Sequence, residues 1–259
     1  MGLRIAGGSA RRLLASRFTL MISCDAGIIH FLNSFSRKSP LLDHVVSFLG
    51  DSNLLKGGII VALLWMLWLQ PSAEIARRRR AILSTLAGCA VAILAARLLA
   101  GLLPFRDRPM NDVEFSFLTP FGYDPHALEG WSSFPSDHAA LFFGLAAGFF
   151  PLSKKIGWFV LLHAIFIVSL PRLYLGIHFP TDIIAGAILG ASLVRLANRP
   201  SLADPLARIA LGWLERSPAS FHVCFFLTTF QIAVLFDDVR ALGHLVVDAA
   251  RYLTGRGKL

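Results

Sequence analysis

Two histidines in this chain each stand close to a carboxylate, and arginines accompany both. His138 directly follows Ser136 and Asp137, while Asp182 lies four residues past His178 and Arg172 six residues before it. Arg106 and Arg108 flank Asp107 at the end of an earlier apolar run. A phosphate site made only of protein groups needs this inventory: a nucleophile, its orienter, an acid, and cations for the phosphoryl oxygens. Asp182 is near enough in sequence to accept the Nδ1–H of His178, which would fix the tautomer and leave Nε2 to attack. Pro180, at a first-turn position, marks the start of a helix there. Ser136 or Asp137 can cap the run Ala139–Leu152, so that the first backbone N–H groups of that helix form an anion site. The guanidinium forks of Arg108, Arg172 and Arg106 suit phosphate oxygens. Each group alone has a plainer reading, as a cap, a structural hydrogen bond or an interfacial arginine. The plain readings do not explain why all of them occur together.

The elements that must position these groups are strongly apolar. The 259 residues are 55% hydrophobic and only 16% charged, with a mean hydropathy of +0.63. That balance excludes an ordinary soluble domain and predicts an all-α integral membrane helical bundle. Candidate spans are Leu54–Leu69, Ala81–Leu103, Ala139–Leu152, Ile156–Leu170 and Ile183–Leu196, with Phe221–Phe236 a shorter one. Phe18–Leu49 reads either as one span plus an interfacial helix or as two interfacial helices. Three segments follow: a basic N-terminal part (1–53), a catalytic membrane core (54–198) and a hydrophobic or amphipathic C-terminal part (199–259). The N-terminal part, with Arg4, Arg11, Arg12 and Arg17, lacks a clear cleavage site and is expected to be retained.

The net charge of +9 does not point to nucleic acid, because the basic residues cluster between the apolar runs. Arg77 to Arg80, the pair Lys154 and Lys155, and the group Arg195, Arg199 and Arg208 would all face the cytoplasm. Parity then places the loops carrying Arg108, His138 and His178 together at the opposite face. Val239–Leu253 has the spacing of an amphipathic surface helix. Cys24, Cys89 and Cys224 offer neither a disulfide framework nor a metal site. His163, in mid-span, reads as a hydrogen-bonding residue between helices.

The order Arg108-Pro109, then Pro135-Ser136-Asp137-His138, then Arg172-x5-His178-x3-Asp182 resembles the type 2 phosphatidic acid phosphatase superfamily. The resemblance covers Arg97 to Asp182, and the flanking runs fit that superfamily's membrane branch of about six transmembrane helices. It implies a metal-independent phosphatase needing no cofactor. His178 would be the nucleophile that forms a phosphohistidine, Asp182 its orienter and His138 the general acid. Arg108, Ser136 and Arg172 would bind phosphate. The expected partners are the bilayer and a lipid phosphate anchored in it. Undecaprenyl diphosphate is the foremost candidate, with phosphatidylglycerophosphate, phosphatidic acid and lipid A as alternatives. The expected location is a bacterial inner membrane with the site on the periplasmic face. A reading from another class, a transporter, would place charges near mid-bilayer and an inverted repeat in the chain.

The motifs depart from the family pattern at three positions. Gly101 stands where the family carries a lysine, seven residues before its Arg-Pro. Arg97, one helical turn earlier, and Arg106 are the candidate substitutes. Asp137 replaces a glycine beside the anion site, and Pro171 replaces a serine.

Overall fold

The computed structural model describes residues 24–234, except residue 127. The basic N-terminus before residue 24 and the run Val239–Leu253 lie outside the described residues. Every regular element among the described residues is helical. A helix over 24–33 (α1) is followed by α2 (Pro40–Asp51), a π-helical turn (Leu54–Gly58), α3 (Ile59–Leu69), α4 (Ile75–Leu102) and α5 (Asp137–Phe149). Then come α6 (Lys154–His163), a second π-helical turn (Ala164–Ser169), α7 (Leu170–Tyr174), α8 (Pro180–Ala197), α9 (Pro200–Arg216) and α10 (Pro218–Ala233). The all-α class is thus the one expected.

Among the described residues, three helical rods are long and apolar enough to cross a membrane: Ile75–Leu102, Lys154–Tyr174 and Pro180–Ala197. Pro40–Asp51 and Leu54–Leu69 add a fourth if they form one span bent by 59°. The apolar helices α5 and α10, at 13 and 16 residues, are shorter; a straight span across the hydrocarbon layer takes about 20 residues. On the rods, Leu94, Leu98, Ile184 and Ile188 are all more than half exposed. Such outward faces would be an aggregation hazard in water and are what a lipid solvent demands.

Where lipid cannot drive helices together, close packing must. Gly186 and Gly190 on α8, one turn apart, lie directly against the backbone carbonyls of Ser136 and Ala140 on α5. A side chain at either position would overlap those oxygens. This seam sets the distance between the starts of α5 and α8, where His138 and Asp182 are carried. On the other side, a Cβ at Gly88 of α4 would come within 2.8 Å of the Val194 Cα. Leu214, Phe221, Phe225 and Ile232 of the C-terminal helices join the same buried cluster as Phe142 and Leu145 of α5. No break in packing therefore falls at residue 198.

The helices sort the charges to two ends. Arg77 to Arg80 open α4, Lys154 and Lys155 open α6, and Arg195 closes α8. At this end Arg80 pairs with Asp204 of α9, and Asn198 donates to Thr85 Oγ1 at 3.2 Å. The opposite end holds the last turn of α4, the first of α5, α7 and the first turn of α8, together with the 103–136 loop. His163 takes the structural role expected, with Nε2 2.7 Å from the carbonyl oxygen of Leu55 in the first π-helical turn.

Candidate active site

The three motif loops are stitched to one another through backbone groups. Ser133 N donates to Arg106 O (2.9 Å), Met110 N to Gly176 O (3.0 Å) and Ser136 N to Asp182 O (3.1 Å). Gly176 turns the chain out of α7 with a φ of +69°, in the left-handed region that glycine enters without strain. A Cβ there would come within 2.6 Å of the Phe117 ring. Residues about 75 apart in sequence are thereby fixed as one unit.

Between them lies a cavity of about 440 Å³ whose wall includes His138, His178, Arg108, Arg172, Arg97 and Asp137. These are six of the nine residues singled out in the sequence. Arg108 and Arg172 are each only 5% exposed. Arg108 donates to the carbonyl of Ile177 at 2.7 Å, and its buried Nε has no hydrogen-bond partner. A buried guanidinium N–H without an acceptor is costly, and an anion in the cavity would relieve it. Burial pushes the pKa of Arg108 below its usual value, against the pull of Asp137 and Asp182. Arg172 donates to Val168 O at 3.1 Å across the second π-helical turn.

His178 is held from behind. Its Nδ1 lies 2.9 Å from the carbonyl oxygen of Ser133 and 3.6 Å from Asp182 Oδ2. Both neighbours are acceptors only, so Nδ1 must carry the proton and Nε2 the lone pair. The expected Asp182–His178 pairing is therefore looser than the spacing implied, and a backbone carbonyl makes the short bond. The reason is that Asp182 is already engaged. Its Oδ2 accepts the N–H of Phe179 at 2.8 Å, capping α8, and its Oδ1 accepts from Arg106 at 2.6 Å. Burial lowers the pKa of His178 below 6.5, with Asp182 opposing and Arg108 reinforcing the shift.

Arg106 needs correcting as a candidate phosphate binder. It does not line the cavity; its guanidinium bridges Asp182, Asp25 (2.8 Å) and Thr181 (2.8 Å) and lies 4.2 Å over the Phe179 ring. With its donors spent on carboxylates behind His178, it is a positioning residue. Ser136 is also not in the cavity wall: it is fully buried, and its Oγ caps α5 by accepting from Ala139 N at 3.4 Å. Asp137 lines the cavity, but its carboxylate serves His138 rather than an anion. Oδ1 lies 2.8 Å from His138 Nδ1, and Oδ2 pairs with Arg97. Arg97 reaches the cavity as expected, stacked 5.1 Å over the Trp131 ring, but its charge is shared with Asp137.

Several residues of the site had no motif to announce them. Asp25 of α1, 2% exposed, accepts from Arg106, from Thr181 N at 3.0 Å and from the Thr181 hydroxyl. Its interruption of an apolar stretch was the available signal. Lys56, Asp51 and Tyr123 line the cavity. Burial and Asp51 push the Tyr123 hydroxyl up to about 12, so it stays protonated. For Lys56 the signal was a single charge inside the run Leu54–Leu69.

Residues 102–201 match the model of the PAP2 superfamily. Over 59 residues the chain is 48% identical to the bacitracin transport permease protein BcrC of Bacillus licheniformis, covering 23% of this chain and 29% of that one. Over 63 residues it is 49% identical to the lipid A 4'-phosphatase of Bacteroides thetaiotaomicron, covering 24% of this chain and 28% of that one. These two matches span less than a third of the relatives' own length. A longer match, 22% identical over 172 residues, reaches the putative undecaprenyl-diphosphatase YbjG of Escherichia coli and covers 66% of this chain and 79% of that one. No solved structure matches. The cavity wall and the segment that matches the PAP2 superfamily model coincide at Arg108, His138, Arg172 and His178.

Proposed function

We propose that this protein is a phosphatase for a phosphate or diphosphate ester carried by a membrane lipid, acting through a phosphohistidine on His178. The observation that carries the reading is that His138 and His178 face one cavity, each with its Nδ1 against an acceptor, and that Arg108 and Arg172 flank them. Nε2 of His178 attacks phosphorus, the P–N bond forms, and the bond from phosphorus to the lipid oxygen breaks. His138 gives its Nε2 proton to that oxygen. Water then attacks the phosphohistidine, its proton passes to His138, the P–N bond breaks and inorganic phosphate leaves. Arg108 and Arg172 neutralise the oxygens of both transition states. The Asp137 carboxylate steadies the imidazolium that His138 forms before the first half and again after the second.

The outward apolar faces, and relatives named as acting on lipid A and on undecaprenyl diphosphate, favour a substrate held in the bilayer. Undecaprenyl diphosphate is the first substrate to try. The basic clusters at the far end of the bundle favour a cytoplasmic location for that end, and so support a cavity on the periplasmic side of a bacterial inner membrane. Gathering of the cavity charges at span ends speaks against a transport pathway through mid-bilayer.

The test is phosphate release in detergent from undecaprenyl diphosphate, phosphatidic acid, phosphatidylglycerophosphate and lipid A, with His178→Ala as the comparison. The wild type should release phosphate from at least one lipid. His178→Ala should lose that activity by about 10⁴-fold or more, as for loss of a covalent nucleophile. Folded wild-type protein that releases phosphate from none of them sinks the reading.

A further inference from the structure

The family's motif lysine has no counterpart at Gly101: a Cβ there would meet nothing within 4 Å, and the residue is not part of the cavity wall. The candidate substitutes are committed elsewhere, Arg106 behind His178 and Arg97 to the Asp137 carboxylate. A cation does reach the cavity, from a different part of the chain. Lys56 is the one charged residue in Leu54–Leu69, is only 5% exposed, and lines the cavity with His138, Arg108 and Arg172.

Its position is built rather than incidental. Lys56 lies in the π-helical turn where the rod breaks between α2 and α3, and such turns recur at functional sites. The ammonium donates to the carbonyl of Gly50 at 2.7 Å, bridging the break. Beside it, a Cβ at Gly57 would come within 2.5 Å of the Ala233 carbonyl, so α10 presses the turn inward. The cavity wall carries Lys56, Arg97, Arg108 and Arg172 against Asp51 and Asp137, and that excess of positive charge favours an anion of more than one charge.

Lys56 shares the cavity wall with both histidines, while Arg108 donates to the carbonyl of Ile177, the residue before His178. In the phosphatase reading, on which this step rests, His138 faces the departing oxygen. We propose that Lys56 forms a second cationic subsite in this cavity, beside the one made by Arg108 and Arg172, which holds the phosphate that stays with the lipid and so selects a diphosphate over a monoester.

Two measurements on the purified protein in detergent test this. The first is calorimetric binding of inorganic pyrophosphate and of inorganic phosphate to the wild type and to Lys56→Met. Wild type should prefer pyrophosphate by about tenfold or more, and the variant should lose that preference while its affinity for phosphate changes by less than about threefold. The second is the ratio of kcat/KM for farnesyl diphosphate over phosphatidic acid, which should fall by a similar factor in Lys56→Met and be retained in Lys56→Arg. Should Lys56→Met not fold, Lys56→Gln, which can still donate toward Gly50 without a charge, carries the same comparison. Equal weakening of both ligands in the variant, or no pyrophosphate preference in the wild type, overturns the subsite. Absence of hydrolysis of either lipid, with the pyrophosphate preference following Lys56, would count against the phosphatase reading and for the subsite.

Discussion

The site contains two sets of the same three residue types, and they are built differently. His178, Asp182 and Arg106 form one; His138, Asp137 and Arg97 form the other. In the first, the His178 and Asp182 side chains are 5% and 0% exposed; in the second, those of His138 and Asp137 are 15% and 17% exposed. The first draws on four separate parts of the chain: the carbonyl of Ser133, the capped start of α8, Arg106 from the loop after α4, and Asp25 from α1. The second is assembled from two successive residues on the first turn of α5 plus one arginine from α4. The difference matches the tasks proposed for the two histidines. A nucleophile must keep its lone pair in line with phosphorus, which calls for over-determined placement. An acid that gives a proton and then takes one back needs access to the cavity and only a local guide.

That contrast can be broken experimentally. The largest effect is expected at His138→Ala, a loss of about 10²–10⁴-fold in kcat, the usual contribution of a general acid. The loss should shrink with p-nitrophenyl phosphate, whose leaving group needs little protonation; a variant equally impaired on both substrates would mean that His138 is only structural. Asp182→Asn comes next. It removes the buried partner of Arg106, and thermal unfolding in detergent should report a loss of roughly 3 kcal/mol, in the range for breaking a buried ion pair. Asp137→Asn should cost about 1 kcal/mol or less, because its set is more open to solvent. Equal destabilisation by the two substitutions would erase the distinction between the sets.

The smallest effect concerns pH. Burial depresses the pKa of His178 from its usual 6.5, so the folded protein keeps Nε2 unprotonated in a window where the unfolded chain has already taken a proton. Both nucleophilicity and this part of the stability are present above 6.5 and are lost as pH falls through the lowered value. The acid limb of the kcat/KM profile should therefore lie below pH 6.5. A limb above that value would show that the nucleophile is not this buried histidine.

How legible these sets were depended on range. The Asp137–His138 pair is two neighbours in sequence, and the cap at Ser136 follows from its place before an apolar run. His178 and Asp182 lie one helical turn apart, so their approach was foreseeable, yet their distance was not. The spacing allowed Asp182 to serve His178 directly, whereas the folded chain spends that carboxylate on α8 and Arg106. Arg106 and Arg108, separated by one residue, were equivalent as sequence. Only one of them turns into the cavity, and the hydrogen bond between Ser133 N and Arg106 O belongs to the loop geometry that separates them.

The sequence by itself determined the apolar rods, the sorting of charge to their ends, and the short-range groupings of histidine, carboxylate and arginine. These follow from solvent preference and from helical repeat, which act over a few residues. Which distant side chains complete the groupings was decided by tertiary structure alone. Asp25 meets Arg106 across 81 positions, and Lys56 enters the cavity because a broken rod is seated against α10 and the second π-helical turn. No local rule encodes such meetings. They arise when glycine seams such as Gly186 and Gly190 let helices close to backbone contact, and the partners a charge finds are those that packing leaves within reach.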